Sequence, residues 1–446
     1  MTVKEFIDKV FIKSKEMNLE EFEIYYVSSE TSSVKVFNKS LDSYSDSQNQ
    51  GISFRAKIGD KMGYSYTESL EEKDILPLIN EAIENGKIIE NEDIIDIYGE
   101  KKEYVKLNTY SEELDKITTE EKIEFLLEAE KYALEYDKRV KSVNYCVFGS
   151  GKSERRIKNS KSLDLHDMEN YGYTYLAVVV EENGVIKNDS DYIVSRDFKD
   201  FDSKKIGENA VKKALKKLGA VDGESGSKKI VIGNRALSDL LGAMGGIYSA
   251  ENVQKGISKF KDKLGEKVAS EKVSIIDNPH LEDGYGSSAF DAEGVPTENK
   301  KLIENGILKT YLYNLKTAKK DGVQTTGNGA KGGYKGTMGI APFNLYMEKG
   351  DKSLEEILKI AENGIYVDSF AGLHSGLNGV SGDFSLACEG FLIENGKITK
   401  PLNQITLAGN FFDMLLDIEE VGNDLEFNLS AVGAPTILVG SLNVGS

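Results

Sequence analysis

Thiols, histidines and long apolar runs are scarce in this chain of 446 residues, and each shortage excludes something. Its two cysteines, Cys146 and Cys388, are too few for a disulfide framework or a four-thiolate zinc site. The longest apolar runs are short, YLAVVV at 175–180 among them, far below the ~18 residues a membrane helix needs. The opening MTVKEFIDKVFIKSKEMN alternates charge with apolar residues and has no continuous hydrophobic stretch, so it does not read as a signal peptide. A cytoplasmic protein without membrane contact is expected. Positive charge is in deficit too: Lys plus Arg is 56 against 74 for Asp plus Glu, a formal net charge of −18. Such a surface repels phosphate backbones and argues against nucleic-acid binding.

What remains is ordinary globular material, 39% hydrophobic and 29% charged. That excludes collagen, coiled coil and disorder. The length suits about three domains or two large ones.

Periodicity divides the chain. Val3, Phe6, Ile7, Val10 and Phe11 form one helical stripe. Ile52, Phe54, Ala56 and Ile58 then alternate with Ser53, Arg55 and Lys57, a half-buried strand, and Gly59-Asp60 turns it into 61–67. A helix follows with Leu76, Ile79 and Ile83 on one face, stopped by Asn85-Gly86. The next starts at Thr118, with Glu121 completing a capping box, and buries Ile123, Leu126, Leu127 and Leu134. Strands are expected at 141–149, 154–166, 171–180 and 184–195, and a helix at 204–218. The fold class is therefore α+β, with helices on an N-terminal antiparallel sheet and a glycine-rich, mixed β/α C-terminal part. The small, turn-forming residues of 219–227 mark the boundary between domains at 1–220 and 221–446. ENG at 304–306 and at 394–396 reads as a hairpin turn each time.

Several chemical motifs fail on context. GSGKS at 149–153 resembles the tail of a phosphate loop, but Cys146 stands where the pattern needs glycine, and an alternating stretch follows in place of a helix. A hairpin turn is expected there, and the basic residues of 152–161 read as a solvated ribbon. Gly327, Gly329 and Gly332 fit GxGxxG without the strand and helix that the fingerprint needs, so they read as a flexible loop. His166, His280 and His374 lie far apart, no HExxH occurs, and no GxSxG elbow exists. His374 sits in GLHSGLNGVSGDFS, where Asn378, Ser381 and Asp383 could line a polar site; an ordinary glycine-rich turn reads equally well. Asp291 and Glu293 admit acid–base chemistry, a signal of little weight in so acidic a chain. Leu237, Leu240, Leu241 and Met244 form a helical stripe interrupted by Gly242, Gly245 and Gly246. Glycines within a helix cost ~1 kcal/mol each. Either something approaches that helix closely or the helix ends near Gly245.

Six stretches follow this point in order: SAENVQKG (249–256), KLGEKVAS (263–270), FDAEGVPT (290–297), YLYNLKTAKKDG (311–322), LAGNFFDML (407–415) and VGND (421–424). With GYSYTESL (63–70), they make the chain resemble the TldD/PmbA family of peptidase-related proteins over nearly its whole length. The resemblance implies a TldD/PmbA-like fold. Zinc-peptidase members of that family carry HExxxH before the KLGEKVAS-like stretch and a cysteine ligand near the C-terminus. Here Leu241 and Gly242 fall on the first His and the Glu, Gly246 falls on the second His, and LEFNLSAVGAPTILVG after VGND has no cysteine. No metal or catalytic residue is therefore expected in this chain. The resemblance points to the TldE/PmbA branch: a non-catalytic partner of a TldD-type subunit, which would hold the zinc, in a complex that takes unfolded peptides. Gly242, Gly245, Gly246 and the loop 372–383 would then line the partner or the peptide path. The alternatives are an autonomous homodimeric peptide binder, a hydrolase built on His374 or carboxylates, and a purely structural homodimer.

Overall fold

The computed structural model describes residues 1–90, 96–100 and 102–446. Its first half is a six-stranded antiparallel sheet in the order β3-β2-β1-β4-β5-β6. The strands are β1 (Phe22–Phe37), β2 (Ser40–Ile58), β3 (Lys61–Thr67), β4 (Val140–Asn159), β5 (Asp164–Glu182) and β6 (Val185–Ser195). Helices α1 (Val3–Glu16) and α2 (Ile75–Ile88) cover one end of one face. After the single turn α3 (Glu112–Asp115), helices α4 (Thr119–Tyr136) and α5 (Ser203–Lys216) cover the other end. Capping boxes start α1 at Thr2 and α4 at Thr118, each satisfying otherwise orphaned N–H groups.

Strand alternation sorts the side chains cleanly. Phe22, Ile24, Tyr26, Ile52, Phe54 and Ala56 point at α1 and α2. Glu23, Tyr25, Ser53 and Arg55 belong to the opposite face. Read as the solvated alternates of a half-buried strand, Ser53 and Arg55 are in fact only 6% and 5% exposed. The cause is tertiary: the C-terminal half lies over that face, with Phe290, Ala292 and Val295 packed among Tyr25, Ile157 and Leu163.

Several local expectations are corrected. Leu76 is exposed, because α2 buries Ile75, Leu78, Ile79 and Ala82 instead; that helix also runs on through Asn85-Gly86 to Ile88. Its Gly86 lies against Gly63 of β3, an approach that a side chain would obstruct. GSGKS is no turn but the middle of the 20-residue β4, with Gly149 paired to Tyr173 and Gly151 to Tyr171. The two tyrosine rings lie over the glycines, where a Cβ would meet them at 2.3 and 2.9 Å. The actual turn is Ser160–Leu163, so 141–149 and 154–166 do not form separate strands. Within the basic stretch 152–161, side chains are paired with carboxylates distant in sequence, Lys152 with Asp115 at 3.0 Å and Lys158 with Asp8 at 2.6 Å.

The C-terminal half holds a mixed seven-stranded sheet, including β7 (Gly226–Ile232), and a second mixed sheet of six short strands. Both ENG turns close antiparallel hairpins, with Asn305, Gly306, Asn395 and Gly396 all at positive φ. Helix α6 (Asn234–Ala243) buries Leu237, Leu240 and Leu241 in the core between these sheets. No described helix is long and apolar enough to cross a membrane.

Candidate functional site

Helix α6 ends before its glycines finish. Met244 is its C-cap, and Gly245–Tyr248 continues as a short 3-10 turn. Among the described residues no backbone presses on these glycines. A Cβ on Gly242 would have Val432 at 3.4 Å, on Gly245 Leu345 at 3.7 Å, and on Gly246 the Asn252 amide at 3.3 Å. Gly242 and Gly246 are exposed, while Leu241 is buried at 1%. Val432, beside Gly242, belongs to the segment after VGND, so the fold brings the HExxxH-aligned helix and that segment together. Zinc does not fit there: Leu241, Gly242, Gly246 and Val432 offer no donor atom. Among the described residues no group of three or more His, Cys, Asp or Glu could hold a metal ion.

The stretch 372–383 begins with the helical turn Leu373–Gly376, which packs beside α6. His374 is exposed on it, and its ring makes no hydrogen bond among the described residues. Asn378, Ser381 and Asp383 organise the loop itself. Asn378 Oδ1 accepts from the N–H groups of Val380 and Ser381 at 2.9 and 3.0 Å. Ser381 Oγ donates to Asp383 at 2.8 Å, and Asn410 Nδ2 donates to the other Asp383 oxygen at 2.8 Å. Asp383 is held below the ordinary carboxylate range by those two donors.

A sizeable cavity sits elsewhere, between the buried polar face of the N-terminal sheet and the C-terminal half. It measures about 520 Å³. Ser53, Tyr64 and Tyr66 form its floor, Glu81 and Asn85 of α2 its rim, and Glu293 and Asn314 its far wall. Its roof is 331–338, the segment read from sequence as a flexible loop. That reading needs correction: Gly329–Lys331 is a strand paired with Met338–Ile340, and only the residues between form a loop. Tyr334 and Lys335 tie this loop to the sheet through Glu68, with Lys335 at 2.7 Å and the Tyr334 ring over Gly51. Lys331 Nζ donates to Ser53 Oγ and lies 4.5 Å from the centre of the Tyr25 ring. Burial pushes its ammonium pKa down to about 8.

Two carboxylates that looked unremarkable in sequence are the most buried acids of this region, Asp291 at 0% and Glu293 at 1% exposure. Asp291 accepts backbone N–H bonds from Glu293, Val295 and Gly329 at 2.7–2.9 Å. Glu293 accepts one from Leu315 at 2.8 Å. A Cβ on Gly329 would meet both carboxylates at 2.9 Å, so only glycine lets this strand close over them. Burial raises both acids, and Asp291 raises Glu293 further. With three donors favouring the ionised form of Asp291, the proton of the pair resides on Glu293. No local pattern marked these residues; the signal was their place in the FDAEGVPT stretch.

A stability consequence follows from the sign of that shift. A carboxyl raised on folding stabilises fully below the ordinary carboxylate range and loses that contribution as pH rises toward its folded value. Glu293→Gln keeps the acceptor for Leu315 and removes the titration. Its melting temperature should exceed that of the parent at about pH 8, with the gap closing toward about pH 5. A gap that is constant with pH would show that Glu293 is already ionised in the folded chain.

Taken together, this is a two-part α+β protein whose halves enclose a charged cavity and whose α6 face is bare of metal donors. Three domain descriptions of one family match it in order: PmbA/TldA metallopeptidase domain 1 at residues 22–86, the central domain at 112–218 and the C-terminal domain at 225–446. The metalloprotease PmbA of Escherichia coli O157:H7 is 30% identical over 315 residues, 70% of this chain and 66% of that protein. A crystal structure of a Thermotoga maritima protein, described as a candidate modulator of a DNA gyrase, superposes with a TM-score of 0.93 and 34% identity over 100% of both chains. TldE from Thermococcus kodakarensis does so with a TM-score of 0.90 and 25% identity, over 99% of this chain and 100% of that one. The chain belongs to the PmbA/TldD family of metallopeptidase-like proteins.

Proposed function

We propose that this chain is the non-catalytic, TldE/PmbA-type partner of a TldD-type zinc peptidase that degrades or processes unfolded peptides in the cytoplasm. The observation that carries the reading is the chemistry at positions 241, 242 and 246. A zinc peptidase needs two imidazoles and a general base there, and leucine and glycine supply none of these. The likeness to the Thermococcus TldE over nearly the full chain supports the same branch. In this role the chain contributes surface. The exposed glycines of α6 and the adjoining 372–383 loop would let an extended peptide or the partner's backbone come close, and zinc would be held by the partner.

The test is metal content and peptide hydrolysis by the purified chain, with and without a TldD-type subunit. Zinc-free, inactive protein that supports hydrolysis on mixing is expected. Chelator-sensitive hydrolysis by this chain alone would overturn the reading and favour an autonomous hydrolase. A variant tests the surface role directly. Because Gly246 is exposed and its nearest neighbour is the side-chain end of Asn252, Gly246→Trp should leave the melting temperature within about 2 °C. The turnover of the mixed complex should fall roughly tenfold or more. Normal assembly with unchanged turnover would remove Gly246 from the peptide path.

A further inference from the structure

Beneath the 520 Å³ cavity lies a smaller void of about 20 Å³, space for a single small group. The two share Ser53, Tyr64, Lys331, Gly336 and Met338, so they adjoin across these side chains. Arg55 borders the inner void and is 5% exposed. Its Nε lies 2.8 Å from Glu23 Oε1, but among the described residues neither Nη1 nor Nη2 has a hydrogen-bond partner. A guanidinium presents five donors, and leaving them empty in a buried site is costly. Lys331 reaches the same void from the roof. Its ammonium has Ser53 Oγ and the face of Tyr25, and no carboxylate within ion-pair distance among the described residues. Around the void, then, Lys331 and Arg55 face Glu23, and Glu293 on the wall of the outer chamber is a second carboxylate whose field reaches Arg55. The outer edge of the Arg55 guanidinium and the Lys331 ammonium are the donors left bordering the space.

We propose that this cavity binds an organic monocarboxylate, the C-terminal carboxylate of a short peptide, with its oxygens between Lys331 and Arg55 and its body in the outer chamber. A single negative charge suits the site, because Glu23 and Glu293 stand close by and a dianion such as sulfate would face them uncompensated. The outer chamber suits the rest of such a ligand. Tyr66 and Tyr334, with ring centres 6.0 Å apart, offer aromatic surface at the mouth, and Asn85, whose Nδ2 donates to the Tyr64 carbonyl, offers its amide oxygen. A planar fork beside a point charge is also the pairing that recognises a carboxylate. This inference concerns the chain by itself and does not depend on the partner-subunit reading.

Isothermal titration of the purified chain with the tripeptide Ala-Ala-Phe and with its C-terminal amide tests it. The free acid should bind and the amide should bind roughly 10- to 100-fold more weakly, the loss expected for a charge-assisted contact. Lys331→Met should abolish the difference while leaving the melting curve cooperative. Should that variant fail to fold, Tyr334→Phe keeps the roof packed as a second check on the site, and the acid–amide comparison in the unaltered chain still decides the matter. Equal binding of acid and amide, binding of neither, or a preference for the acid that survives Lys331→Met would each overturn the proposal. Inorganic sulfate, a dianion at neutral pH, displacing the peptide would overturn the assignment of a monoanion.

Discussion

Arg55→Met should destabilise the protein by about 3–5 kcal/mol, read as a lowered midpoint in urea unfolding followed by circular dichroism. Glu23, 2% exposed, has its 2.8 Å ion pair with Arg55, and its other oxygen has no hydrogen-bond partner. Removing the cation strands a buried carboxylate in a region already holding Asp291 and Glu293. The carboxylate must then take up a proton or draw water into the interface, and both cost free energy. The companion change distinguishes this cause from simple loss of packing. With Glu23→Met added, the charge is gone from both sides and most of the loss should be recovered. If Arg55→Met alone moves stability by less than about 1 kcal/mol, the pair is not a dry one.

Gly63→Val should cost at least about 3 kcal/mol, because there is no room for it. A Cβ at Gly63 would sit 1.9 Å from the carbonyl oxygen of Ala82 and 2.6 Å from the amide nitrogen of Gly86. Both are backbone atoms of α2, so no side chain can swing aside and the helix itself must lift. The contrast is Gly86→Ala. Its first obstacle is a side-chain carbon of Ile58 at 2.8 Å, which can rotate, and alanine regains ~1 kcal/mol of helix propensity. Thermal unfolding of the two variants should separate them widely. Equal effects would mean that α2 rides on β3 more loosely than the contact implies. Since α2 carries Glu81 and Asn85, any displacement also widens the cavity rim.

What the sequence made legible was local. The Thr118–Glu121 capping box, the α1 stripe and the ENG turns each rest on neighbours a few residues apart, and each forms as read. The failures share a different cause. GSGKS has turn composition, yet Tyr171 and Tyr173 of the next strand supply the side chains its glycines lack. Leu76 fits a helical stripe as well as Ile75 does, and only the position of the sheet selects between them. Ser53 and Arg55 alternate as surface residues should, and become interior because a second body covers them. The cavity was illegible for the same reason: Arg55, Glu293 and Lys331 are separated by 238 and 38 residues along the chain. Resemblance to the family supplied what spacing could not, namely which helix face to inspect.

The 331–338 segment leaves the C-terminal half, grips Glu68 and Ser53 on the N-terminal sheet, and returns. The halves are also joined elsewhere, by Arg155 on Ser288 and Phe290, Tyr104 on Gly294 and Arg196 on Gly284. Loss of the Tyr334 and Lys335 grip would therefore unfasten the roof of the chamber while its walls stay joined.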